Sequence, residues 1–142
     1  MKKIFFMVLA MCLLIGCHSD VSQHYQNYPQ PVSGSFPSGL TIAQAESVIT
    51  NACITRGWRI TGKEKGQMEI ALQKRKYNFY ASIAYNEKNY TIHMNEANSP
   101  NGLEDFKRTS KLFNNYVLKL DQSIQKQSMK VYARSLEADA YR

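Results

Sequence analysis

The 142-residue chain is poor in cysteine, histidine and glycine, with three, three and seven respectively. Each scarcity removes a class of protein. Three cysteines are too few for a disulfide-stapled scaffold or a zinc ribbon. His18 and His24 fall in a polar N-terminal stretch, which leaves His93 as the one histidine in a segment patterned to fold; no metal site is expected. No glycines stand at phosphate-loop or dinucleotide-binding spacing. The longest apolar run, Ile4–Ile15, is twelve residues, where a membrane-spanning helix needs about 20. Acid is also short: 11 Asp and Glu against 18 Lys and Arg give a formal charge of +7. With 44% hydrophobic and 20% charged residues, the rest is ordinary globular composition for one small domain.

The chain opens with an address. Lys2 and Lys3 precede the apolar run, and Leu14-Ile15-Gly16-Cys17 follows at its end. This resembles the lipobox of bacterial lipoproteins. The resemblance implies a diacylglycerol on the Cys17 sulfur, cleavage after Gly16, and an acylated new N-terminus, so residues 1–16 read as a signal peptide. Loss of Lys2 and Lys3 would leave a formal charge of +5, with Cys53 as the sole free thiol. His18 rather than aspartate follows Cys17. By the same resemblance this favours the outer membrane, with the domain facing the periplasm.

Residues 17–40 read as the lipidated cysteine and a flexible tether. They hold three of the four prolines and show no apolar period. A domain is expected over 41–127. Thr41-Ile42-Ala43-Gln44 has capping-box form. Ile42, Ala45, Val48, Ile49, Ala52 and Cys53 mark one helix face, and Gly57 is its stop. The period then switches to two: Trp58 and Ile60; Met68, Ile70 and Leu72; Phe79, Ala81, Ile83 and Tyr85; Tyr90, Ile92 and Met94. Turns are expected at 62–66, 74–76 and 86–89, and a loop over 95–105. A last helix from Glu104 or Asp105 carries Leu112, Phe113, Tyr116, Val117, Leu120 and Ile124 on one face. Residues 128–142 read as a C-terminal extension that can continue as helix. The expectation is an α+β fold of order α-β-β-β-β-α, a two-layer sandwich. Its four-stranded antiparallel meander would be covered by the N- and C-terminal helices.

Arg56-Gly57-Trp58 after an amphipathic helix, short hairpins, and Phe113-Asn114-Asn115-Tyr116-Val117-Leu118-Lys119-Leu120 on a closing helix together resemble a group of small bacterial lipoproteins. The likeness runs from about Thr41 to Ile124. It departs at Met94, where an aromatic is expected, and at Tyr116, where tryptophan is usual. It implies a fold, not an activity. Asn114, inside the aromatic pattern, is expected to make a structural hydrogen bond.

No catalytic set is expected. Cys53 lies on the apolar stripe and His93 on a polar strand face. Glu64, Glu69, Glu104 and Asp105 show nothing that marks a paired-carboxylate acid–base set. No cofactor is expected. Candidate binding residues are Lys74, Arg75 and Lys76 at one hairpin, Lys63 and Lys65 at the neighbouring turn, and Tyr80 and His93 on the sheet. Three readings follow. The first is a non-enzymatic, lipid-anchored envelope protein that binds a protein partner or aids an envelope assembly. The second is a module for anionic lipid, lipopolysaccharide or wall polymer, acting through the basic turns. The third is a wall hydrolase. Nucleic acid is disfavoured by compartment.

Overall fold

A computed structural model describes residues 30–98 and 106–141. The expected signal peptide, Cys17, His18, His24 and the segment bearing Glu104 and Asp105 lie outside the described residues. The protein is α+β: an antiparallel sheet with two helices on one of its faces.

The first helix, α1 (Ile42–Arg56), starts as its sequence dictates. The Thr41 hydroxyl accepts from the Gln44 amide at 3.2 Å, and the Gln44 side chain accepts from the Thr41 amide at 2.9 Å. It stops at Gly57, whose φ of 78° lets the Gly57 and Trp58 amides reach back to the Ile54 and Cys53 carbonyls. Four strands follow, β2 (Arg59–Glu64), β3 (Gln67–Lys74), β4 (Tyr77–Tyr85) and β5 (Asn89–Asn98), each pairing with the next. Their apolar positions face the helices: Met68, Ile70, Leu72, Phe79, Ala81, Ile83, Tyr90 and Ile92 are almost fully buried.

The sheet has five strands, not the expected four. The extra strand, β1 (Val32–Ser35), lies in the expected tether and pairs with β5 at the edge, giving the order β1-β5-β4-β3-β2. The domain therefore begins before residue 41, and Phe36 and Leu40 belong to its core. Val-Ser-Gly-Ser has too little apolar alternation to announce a strand. Its fit comes from a missing side chain, because a Cβ at Gly34 would sit 2.3 Å from the Tyr90 hydroxyl oxygen. The Tyr90 ring fills that space and packs at a tilt against Phe36, ring centroids 5.1 Å apart.

Two further boundaries differ from expectation. The 62–66 turn shrinks to Lys65-Gly66, with Gly66 at φ 78° and β2 running on to Glu64. Strand β5 continues to Asn98, where a loop was expected from 95; a bulge at Asn95 absorbs one residue. The second helix, α2 (Phe106–Ala140), runs 35 residues without a break at 127. Ser128 bonds back to the Gln125 carbonyl at 2.8 Å within the helix, and Val131 still touches the core. Phe113, Val117, Leu120 and Ile124 are fully buried, the expected stripe.

The topology gives the domain two ends. At the head end lie the α1–β2 junction, the β3–β4 turn, the C-terminus of β5 and the start of α2. At the tail end lie the β2–β3 and β4–β5 turns and the start of α1, and α2 runs out past them. Eight residues of β3 separate the ends by about 27 Å.

Candidate interaction surfaces

The expected binding residues do not share one site. Lys65 lies at the tail end beside Asn86, Glu87 and Lys88, around a depression of about 420 Å³. Lys63 is a strand residue, and its ammonium pairs with Glu46 of α1. Glu46 also accepts from the Tyr85 hydroxyl at 2.9 Å. Hydrogen bonds from Lys63 first, and then from Tyr85, hold the Glu46 carboxyl below its usual range. Burial, reinforced by that carboxylate, pushes the Tyr85 phenol up to about 12. Lys63 is thus a structural pairing residue fastening α1 to β2.

Lys74, Arg75 and Lys76 are all exposed at the head end. Arg75 and Lys76 form a two-residue turn in which Arg75 takes φ 53°, a left-handed value unusual for a side-chain-bearing residue. The Lys74 ammonium lies 3.8 Å from where a Gly57 Cβ would stand. A cation there complements the carbonyl end of α1. The Lys76 ammonium sits 5.4 Å from the Tyr77 ring centroid. Tyr80 and Arg59 border a neighbouring depression of about 220 Å³, shared with Ala71, Gln73 and Asn78.

His93 lies mid-sheet on the face away from the helices, opposite Ser82. That face carries short polar side chains bonded to one another. Ser82 donates to Asn95 at 3.2 Å, Gln67 donates to Glu69 at 2.9 Å, and the Ser33 and Thr91 hydroxyls meet at 2.9 Å. Tyr80 is the large ring standing on it, 39% exposed.

Sequence reasoning missed a buried polar contact and an exposed apolar one. The Tyr90 hydroxyl donates to Asp121 of α2 at 2.5 Å, and the Gln125 amide donates to the other Asp121 oxygen at 3.1 Å. Burial first, then the Asp121 carboxylate, pushes the Tyr90 phenol far up. Tyr90 alternates with Ile92 and so reads as plain core; only the i, i+4 pair Asp121 and Gln125 could have hinted at its partner. The exposed contact is the end of α2. Past Val131 the helix leaves the core, with Leu136 53% exposed, and Met129 just before it is already 56% exposed. Asn114 is half-buried, and its side chain makes no hydrogen bond among the described residues, contrary to expectation.

Cys53 is buried, and burial pushes its thiol up to about 12. That is a core residue, not a nucleophile. Among the described residues, no three His, Cys, Asp or Glu side chains are grouped to hold a metal, and no helix is long and apolar enough to cross a membrane. Comparison of the chain with protein-family models, with curated proteins and with solved structures finds no match.

Proposed function

We propose that this protein is a non-enzymatic, lipid-anchored envelope protein that faces the periplasm and offers the end of α2 to a protein partner. One observation carries the reading. A helix normally repays its ordering through the face it buries, yet α2 runs about two and a half turns beyond Val131, its last core contact. Around and beyond that contact Met129, Tyr132, Ala133 and Leu136 stand at helical spacing. Such a stripe suits an apolar groove on another protein. The lipobox-like Leu14-Ile15-Gly16-Cys17 supplies the anchor in this reading, and two or three acyl chains hold firmly to a bilayer.

The test is site-specific photocrosslinking in intact membranes. A photoreactive residue at Leu136 should give one adduct of fixed mass, and the same residue at Glu87, on the tail-end turn, should give none. Equal yields from both positions, or none from either, would remove the partner. Cys17→Ser should move the protein from the membrane fraction to the soluble one; continued sedimentation would remove the anchor.

A further inference from the structure

The two ends of the domain differ in charge, and β1 starts from a definite side. At the head end Arg56, Arg59, Lys74, Arg75, Lys76 and Arg108 are all exposed, and Glu96 is the acidic residue among the described ones there. Counting Glu104, Asp105 and Lys107 of the adjoining sequence leaves the sign positive. At the tail end charges alternate: Glu64, Lys65, Glu87 and Lys88 are exposed, Lys63 is paired with Glu46, and the overhanging part of α2 adds exposed Lys126, Lys130 and Arg134 against Glu137 and Asp139. Strand β1 is antiparallel to β5 and starts at Val32, opposite Ile92. β1 therefore runs toward the tail end, with its first residue on the head-end side.

We infer that the head end docks on the anionic headgroups of the leaflet that holds Cys17, through the Lys74-Arg75-Lys76 turn and the arginines beside it. The inference rests on the lipid-anchor reading. Thirteen residue steps separate Cys17 from Gln30, a reach of at most about 45 Å. Reach alone would tolerate several orientations, so charge makes the choice. Each Lys or Arg brought within a Debye length of an anionic leaflet adds about a fivefold preference. A net excess of about three such charges at the head end therefore favours it over the tail end by about a hundredfold. Ile54, 65% exposed in the last turn of α1, adds an apolar group that can enter the headgroup layer. In this orientation α2 points its exposed stripe away from the bilayer, toward the periplasm.

The test uses the full acylated chain in phosphatidylcholine vesicles, with and without phosphatidylglycerol. Mass spectrometry of the same sample reports the Cys17 modification. A fluorophore is attached at Gln73→Cys on the head end or at Glu87→Cys on the tail end; the buried Cys53 and acylated Cys17 do not compete. Quenching by spin-labelled lipid should be at least threefold stronger at the head end in anionic vesicles. The difference should vanish without phosphatidylglycerol. It should also vanish as salt rises from about 0.1 M to about 1 M, where the Debye length falls from ~10 Å to ~3 Å. A Lys74→Gln, Arg75→Gln, Lys76→Gln variant should lose most of it. If that variant melts early, Arg56→Gln with Arg108→Gln leaves the turn intact and should lose part of it. Equal quenching at both ends on acylated protein overturns the docking and leaves the anchor standing, as does salt-sensitive capture by purified wall polymer without vesicle orientation. An unmodified Cys17 overturns the anchor and the docking together.

Discussion

The two parts of α2 are one helix held by different forces. Up to Ser128 it lies in the core, with Phe113, Val117, Leu120 and Ile124 fully buried. From Met129 onward nearly every residue is exposed. The first part is helical because tertiary packing stabilises it. The second relies on local propensity: Lys130, Ala133, Arg134, Leu136, Glu137, Ala138 and Ala140 are all good helix formers. An apolar residue therefore has opposite meanings in the two parts. In the first it stabilises the domain, and in the second it is available to something else.

Substitution should expose that difference most sharply at Phe113. Its ring meets Phe79 at 5.0 Å and Trp58 at 6.4 Å, joining both layers and the α1–β2 junction. Phe113→Ala should cost about 3–5 kcal/mol, read as a lowered urea midpoint. A cost under about 1 kcal/mol would mean that this part of α2 is no more integral than its end.

The next effect tests how far the packed part of α2 depends on β1. Gly34→Ala places a methyl 2.3 Å from the Tyr90 hydroxyl oxygen and 2.4 Å from its ring. The ring must shift, and its bond to Asp121 goes with it. A loss of about 2 kcal/mol is expected. An unchanged melting temperature would show β1 to be dispensable.

That dependence also explains what was legible in the sequence. Strands β2 to β5 and both helices announce themselves by apolar period, and the α1 caps by residue identity at Thr41, Gln44 and Gly57. Strand β1 was hidden because an edge strand of four residues needs few apolar side chains, and its central fit is a glycine against a tyrosine remote in sequence. Likewise Lys63 reads as turn charge until Glu46, seventeen positions away, is seen beside it. Lys74–Lys76 was legible as a basic hairpin. The end on which it sits, and what else shares that end, came only with the strand order.

A smaller effect isolates the polar link between β5 and α2. Tyr90→Phe keeps the ring over Gly34 and removes the hydroxyl that Asp121 accepts, for an expected loss of about 1.5 kcal/mol. Burial and the Asp121 carboxylate raise the phenol well above its usual range, so the folded state favours the neutral form. Its contribution is complete below about pH 10 and is lost as pH rises from there. Wild type should therefore destabilise more steeply than Tyr90→Phe in alkali, with Tyr85, raised to about 12, contributing in the same direction to both. Parallel alkaline melting curves for the two proteins would break the assignment.

The smallest effect on stability is expected where the functional effect is largest. Leu136 is 53% exposed, and leucine and alanine differ little in helix propensity. Leu136→Ala should shift the urea midpoint by less than about 0.5 kcal/mol and leave far-ultraviolet ellipticity unchanged. It removes most of the side chain at the C-terminal end of the exposed stripe. A photoreactive group at Met129, two turns away on the same face, should then lose its partner adduct although the fold is intact. Stability loss comparable to that of Phe113→Ala would mean that Leu136 packs against its own domain, and the distinction between the two parts of α2 would fail. An undiminished adduct with unchanged stability would move the partner to a different face of the helix.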